Sequence, residues 1–161
     1  MIKIMEGNLF DTTAPIIAHQ VNCRGVMGSG VAKQVKKKYP EAFKEYTMLC
    51  SSVPEEKLLG FAQPCFIEGK IIVNLFGQEK YGYDGKQYTS TKSLQNAFIE
   101  LRKIAEWTSN DVIAMPYKIG CARGGADWDK EVFPMIRLIF LESDIDIELW
   151  KLPEGVNDNE L

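Results

Sequence analysis

The chain has 161 residues, 45% of them hydrophobic and 25% charged, with a formal net charge of −3. That composition fits one ordinary globular domain, and the acidic balance argues against a general nucleic-acid binder, which carries a basic stripe. The four cysteines Cys23, Cys50, Cys65 and Cys121 lack C-x-x-C spacing, and no apolar run approaches the roughly 18 residues of a membrane span. The expectation is a reduced, cytoplasmic, monomeric protein with no membrane span, no metal and no cofactor.

In chain order, Met1–Met5 alternates like a short strand and Gly7-Asn8 breaks it. Pro15–Val21 is apolar almost throughout, as in a strand covered on both faces, and carries the only histidine, His19. Three glycines, Gly25, Gly28 and Gly30, lead into a helix whose apolar positions Val31, Val35 and Tyr39 recur every four residues. Lys33 and Lys36–Lys38 fall between them, either as a solvated face or as an attraction for an anion. Pro40 ends or restarts that helix, Glu41–Cys50 continues it, and residues 51–54 are a linker. Leu58–Ile67 and Lys70–Phe76 read as two strands about Glu68-Gly69.

Gly77–Ser90 is a long loop with Tyr81, Tyr83 and Tyr88, a length that in a compact domain marks function or mobility. Thr91–Trp107 is a helix with Leu94, Phe98, Leu101 and Ala105 on its buried stripe and Thr91 as N-cap. Val112–Met115 is a short buried strand, followed by a second glycine loop, Pro116–Gly125. A helix from about Asp127 buries Trp128, Val132, Met135 and Ile139 and is expected to kink at Pro134. Ile145–Leu152 is a last alternating strand, and 153–161 is an acidic, flexible tail. Strands alternating with helices make the fold α/β.

Each glycine loop follows a strand and precedes a helix, where positive φ and unpaired helix-start N–H groups can cradle an anion. Neither loop has the G-x-x-x-x-G-K-[ST] or G-x-G-x-x-G spacing. Two such units suggest two loops closing on one elongated ligand at the carboxyl ends of neighbouring strands. A diphosphate-containing nucleotide fits, with an anionic middle for N–H groups and flanking rings for aromatic side chains.

The segments Gly7-Asn8-Leu9-Phe10, His19–Ala32, Tyr39–Phe43, Asn74–Gln78, Pro116–Trp128 and Ile147–Leu152 together resemble a macrodomain, in order, over residues 1–152. The resemblance is to the branch that holds the terminal ADP-ribose protein glycohydrolase, antitoxins reversing DNA ADP-ribosylation and the yeast ADP-ribose 1″-phosphate phosphatase. It implies a three-layer α/β/α domain with a mixed sheet of about six strands and ADP-ribose, or a derivative, as ligand. It also implies that Leu9 and Phe10 flank adenine and that Asn8 holds the position of an acidic adenine contact, able still to accept a hydrogen bond. Trp150 stacks on the base or is an ordinary core residue. Gly28, Ser29, Gly30, Val31 and Ala32 form the first phosphate loop; Ile119, Gly120, Cys121, Ala122, Arg123 and Gly124 form the second. Cys121 is then a small packing residue, and Asn22 holds the distal ribose or stabilises its own turn.

The branch's glycohydrolase uses a lysine and an aspartate where this chain has Gln78 and Gly124. Glutamine cannot form the covalent adduct that a lysine amine forms, so water attack replaces that route. Asp127 is an N-cap or a ribose contact. His19 is a general base or acid near Asn22, in line with the phosphatase resemblance, or a buried structural residue. Three functions follow: hydrolysis of ADP-ribose 1″-phosphate or of an ADP-ribosyl adduct on protein or nucleic acid; ADP-ribose binding without chemistry; or binding of another nucleotide.

Overall fold

The computed structural model describes residues 1–157. Its centre is a six-stranded mixed sheet of β1 (Ile2–Glu6), β2 (Ile16–Val21), β3 (Ala62–Ile67), β4 (Lys70–Phe76), β5 (Val112–Pro116) and β6 (Asp146–Lys151), in the order β1-β6-β5-β2-β4-β3. Only β3 and β4 are antiparallel, as their Glu68-Gly69 hairpin requires; β1, β6, β5, β2 and β4 run parallel. The glycine segments after β2 and β5 therefore emerge side by side at one edge of the sheet.

Strand alternation sends Ile16 and Ala18 to one face and Ile17 and Val21 to the other. On the first face lie α4 (Thr91–Trp107) and α5 (Phe133–Phe140), whose Leu94, Phe98, Leu101 and Ile136 are fully buried. Each large side chain so buried contributes roughly 2 kcal/mol of transfer free energy. On the second face lie α1 (Gly30–Lys38) and α2 (Pro40–Ser52), which bury Val35, Ala42 and Tyr46. The result is the three-layer α/β/α arrangement that the resemblance implies.

Several boundaries differ from the sequence reading. Leu58 belongs not to a strand but to a short helix, α3 (Glu55–Leu58), that begins behind Pro54. Pro54 and the acidic Glu55-Glu56 suit a helix start. The linker expected at 51–54 is correspondingly shorter, since Ser51 and Ser52 complete the last turn of α2. Ser90, not Thr91, caps α4: its hydroxyl accepts from Ser93 N at 3.2 Å. Pro134 does not break a helix from inside. One π turn over Trp128–Val132 precedes it, and the proline sits in the first turn of α5, where a missing N–H costs little. Pro40 likewise occupies the first turn of α2, with Tyr39 as the joint between the two helices.

Candidate functional site

A cleft opens where β1, β6, β5 and β2 end. Its first part is a cavity of about 170 Å3 lined by Gly7, Asn8, Leu9, Phe10, Trp150 and neighbours from α1 and the end of β5. The second is a cavity of about 340 Å3 lined by His19–Asn22, Gly28–Ala32, Gln78 and Tyr117–Gly124. Val31, Pro116 and Tyr117 contribute to both, so the two parts adjoin. The sequence-predicted residues Asn8, Leu9, Phe10, His19, Asn22, Gly28–Ala32, Gln78, Ile119–Gly124 and Trp150 all border one part or the other.

Ser29 occupies the N-cap of α1 but makes no side-chain cap hydrogen bond, so the first-turn N–H groups face the cleft without a serine hydroxyl on them. Gly30, at φ 58°, makes the turn into the helix. Opposite, Lys118 and Gly120 both have positive φ, at 57° and 77°, which bends the chain after β5 back on itself. Ala126 N donates to Gly120 O at 3.2 Å and closes that loop. Two backbone arches thus face one another across the larger cavity, and the helix start adds a partial positive charge.

The first arch is braced from below. Asn22 Oδ1 accepts from Arg24 N at 2.8 Å and from the Tyr46 hydroxyl at 2.9 Å, while Nδ2 donates to Val26 O at 2.8 Å. The Tyr46 hydroxyl also lies 2.7 Å from Asn22 O and shares its one proton between the two oxygens, so Asn22 serves its turn first, and its second amide hydrogen is left for a ribose. Asn8 is engaged in a similar way. Its Oδ1 accepts from Phe10 N at 3.0 Å and caps the single 3-10 turn Leu9–Asp11. One lone pair of the Asn8 oxygen is thus engaged by the backbone, which leaves the other for a donor in the cavity that Asn8 borders. Leu9 is buried in the core beneath this turn, while Phe10 lies 6.2 Å from the Tyr39 ring. Trp150 is half-buried with Nε1 donating to Glu148 Oε2 at 2.8 Å, and its ring edge lies against Gly7, where a Cβ would come within 3.3 Å.

His19 is 1% exposed, and its Nε2 lies 2.6 Å from Asn74 Oδ1, its neighbour across β4. Asn74 Nδ2 donates to Gln63 Oε1 at 3.1 Å, which leaves Oδ1 to accept and places the histidine proton on Nε2. Nδ1 is buried without a hydrogen-bond partner. Burial lowers the His19 pKa to about 4, the bond to Asn74 opposing it only in part. Burial thus favours the uncharged ring at neutral pH.

Gln78 Oε1 accepts from Gln20 Nε2 at 2.6 Å, and its Nε2 donates to Lys80 O at 2.9 Å. Gly124 has no room for a side chain: a Cβ would lie 2.0 Å from Thr89 Oγ1 and 2.4 Å from Gly120 O. Cys121 is half-buried, its Sγ bonded to Ile119 O at 3.4 Å, and burial with the nearby Asp127 carboxylate raises its pKa to about 11. A thiol held protonated is a packing group, not a nucleophile. Asp127 caps the following helical turn, accepting from Lys130 N at 3.0 Å. Among the described residues no group of three or more His, Cys, Asp or Glu could hold a metal ion, and no helix is long and apolar enough to cross a membrane.

The sequence reading missed Gln20, Thr89, Tyr117 and the Arg123–Tyr83 contact, in which the guanidinium lies 5.1 Å from the ring centroid and ties the second arch to loop 77–90. Gln20 carried one legible signal, a polar side chain in an otherwise apolar strand. The tail expected at 153–161 turns at Pro153–Val156, and Asn157 borders the larger cavity; residues 158–161 lie outside the described residues.

A family model described as a macro domain matches residues 18–132. The chain is 28% identical over 157 residues to the DNA ADP-ribosyl glycohydrolase of Mycobacterium tuberculosis, an alignment covering 96% of this chain and 43% of that protein. It is also 28% identical over 142 residues to the ADP-ribose 1″-phosphate phosphatase of Candida albicans, covering 80% and 88% respectively. The solved macrodomain of Mycobacterium tuberculosis DarG superposes with a TM-score of 0.78 at 25% identity, over 93% of this chain and 97% of that one. The chain spans less than half the length of the first curated relatives it matches.

Proposed function

We propose, because this chain belongs to the macro domain family, that its cleft binds ADP-ribose and that it hydrolyses an ADP-ribose derivative by water attack. The observation that carries the reading is the pair of backbone arches, Gly28–Ala32 and Ile119–Gly124, facing each other across a cavity that adjoins a second, ring-sized one. A diphosphate between the arches puts adenine beside Phe10 and Trp150 and the distal ribose toward Asn22, Gln78 and loop 77–90. The substrate class is ADP-ribose 1″-phosphate or an ADP-ribosyl adduct on protein or nucleic acid, and the names of the relatives support the 1″-phosphate and the adduct on DNA. The protein acts as a monomer in the cytoplasm, with residues 1–152 forming one domain.

No covalent lysine route is available, since Gln78 is amidic and bonded at both ends. The chain's own contribution is orientation and electrostatics: arches hold the diphosphate, and the second Asn22 N–H and the neutral imidazole wall face the distal sugar. Calorimetry with ADP-ribose, ADP and AMP tests binding. ADP-ribose is expected to bind at least about tenfold more tightly than AMP, and equal affinities overturn the reading in favour of another nucleotide. Phosphate release from ADP-ribose 1″-phosphate, and ADP-ribose release from modified DNA and protein, test turnover.

A second reading, binding without chemistry, is supported by the sealed Nδ1 of His19 and by Gln78 and Gly124 at the positions of the branch's lysine and aspartate. Tight binding with no turnover on any of these substrates selects it. The adenine end has its own test. Asn8→Asp is expected to tighten ADP-ribose by about fivefold, because one carboxylate oxygen keeps the cap on Phe10 N while the other is free to accept from the adenine amino group. An unchanged or weaker Kd puts the amino group elsewhere.

A further inference from the structure

Resting on the reading that the cleft takes ADP-ribose, we propose that Gln20 is a positioning residue that locks the two loops enclosing the distal half of the cleft, and so sets selectivity for a ligand with a second ribose. Gln20 follows His19 on β2 and faces the opposite side of the sheet, toward α4. Its Nε2 donates to Gln78 Oε1 at 2.6 Å and to Thr89 Oγ1 at 2.8 Å, and the Thr89 hydroxyl donates onward to Gly120 O at 2.8 Å.

The direction of this chain of bonds is determined at its ends. Lys80 O and Gly120 O can only accept, so Gln78 must present its oxygen to Gln20, and Thr89 must accept from Gln20 in order to donate to Gly120. One amide group thereby joins β2 to both ends of loop 77–90 and, through Thr89, to the second glycine arch. Backbone bonds extend the join, with Tyr88 N and Thr89 N donating to Gly124 O at 2.8 and 2.9 Å.

Both neighbouring glycines make room for this side chain. A Cβ at Gly77 would stand 2.4 Å from Gln20 Oε1, and a Cβ at Gly120 3.0 Å from it. The carboxamide therefore fills a notch that only hydrogen side chains leave open, and a substitution without the two donors removes the side-chain ties to both loops and leaves them held by the backbone bonds from Tyr88 N and Thr89 N. The arch at Gly28–Ala32 is not part of this network; it is braced by Asn22 and Tyr46 on the other face of the sheet. The network accordingly controls the distal side of the cleft and not the adenine side.

Two variants test this, Gln20→Met, which keeps the volume and removes the donors, and Thr89→Val, which removes only the relay hydroxyl. In each, ADP-ribose is expected to bind about tenfold more weakly, and ADP, which shares the diphosphate held by the second arch but lacks the second ribose, only about threefold more weakly. Amide hydrogen exchange is expected to quicken over 77–90 and 116–125 and to remain slow in β1 and α2. An unchanged ratio of ADP-ribose to ADP affinity in both variants overturns the proposal, as does a rise in exchange spread evenly over the chain. If the wild type does not distinguish the two ligands, the ADP-ribose reading is what fails, and the exchange pattern still decides whether Gln20 couples the loops.

Discussion

Gly124→Ala is expected to abolish high-affinity ADP-ribose binding, by more than tenfold, and to lower stability by about 2–3 kcal/mol. The added methyl group would stand 2.0 Å from Thr89 Oγ1 and 2.4 Å from Gly120 O, with further backbone at 3.0 Å. Relief requires the second arch to part from loop 77–90, and with it go the bonds from Tyr88 N and Thr89 N to Gly124 O. The same geometry bears on the chemistry. Restoring the aspartate that the glycohydrolase of this branch uses, through Gly124→Asp alone or with Gln78→Lys, is expected to give a damaged cleft and no lysine-type glycohydrolase. Thermal denaturation and calorimetry with ADP-ribose decide the point; a Gly124→Ala protein with wild-type Tm and Kd shows that the arch can move freely.

Acid is expected to destabilise the protein through His19. Its folded pKa, about 4, lies below the unfolded value of 6.5, so between those limits the unfolded chain takes up a proton that the buried ring refuses. The His19 contribution is therefore intact above about pH 6.5, declines as the pH falls, and levels off below about pH 4. At about 1.4 kcal/mol per pH unit over that interval, the loss reaches about 3 kcal/mol. His19→Gln separates this effect from the titration of carboxylates, because an amide can donate to Asn74 Oδ1 as Nε2 does but takes up no proton. Denaturant unfolding between pH 4 and 7 is expected to show a shallower decline for the variant than for the wild type; identical slopes take His19 out of the acid response. The same burial makes His19→Ala a stability variant before it is a kinetic one, since it opens a void and leaves Asn74 Oδ1 without its donor.

Element type was legible wherever local pattern and chain punctuation agreed. The period Val31–Val35, the stripe Leu94–Phe98–Leu101 and the glycine breaks at 25–30 and 120–125 lie in the structure where the pattern puts them, while Tyr39, the next residue of that period, falls just past α1 as its C-cap. Boundaries failed where two punctuation signals competed. Ser90 and Thr91 are both good caps, and only the bond to Ser93 N separates them. Leu58 is apolar in a way that suits a strand or a short helix, and Pro54 decides for the helix. Pro134 marked a helix irregularity without its form, because a proline signal cannot reveal that a π turn comes just before it.

The candidate site was legible as a set of segments and not as a set of bonds. Sequence alone determined that two strand–glycine–helix units exist and that histidine stands on an apolar strand, because these are matters of residue identity and local spacing; that Gln78 and Gly124 stand where the branch's glycohydrolase has a lysine and an aspartate is what the resemblance implies. The tertiary structure decided that β5 and β2 are neighbours, so that the two arches face one cavity. It decided that Asn8, Asn22 and Gln78 engage their amide oxygens inside the protein and that His19 is neutral under its burial. It also decided that Gly124 is glycine because Thr89 occupies the space a side chain needs. Each of these depends on groups brought together from distant parts of the chain, and hydrogen-bond capacity, desolvation and steric exclusion are properties of such neighbourhoods, not of any segment by itself.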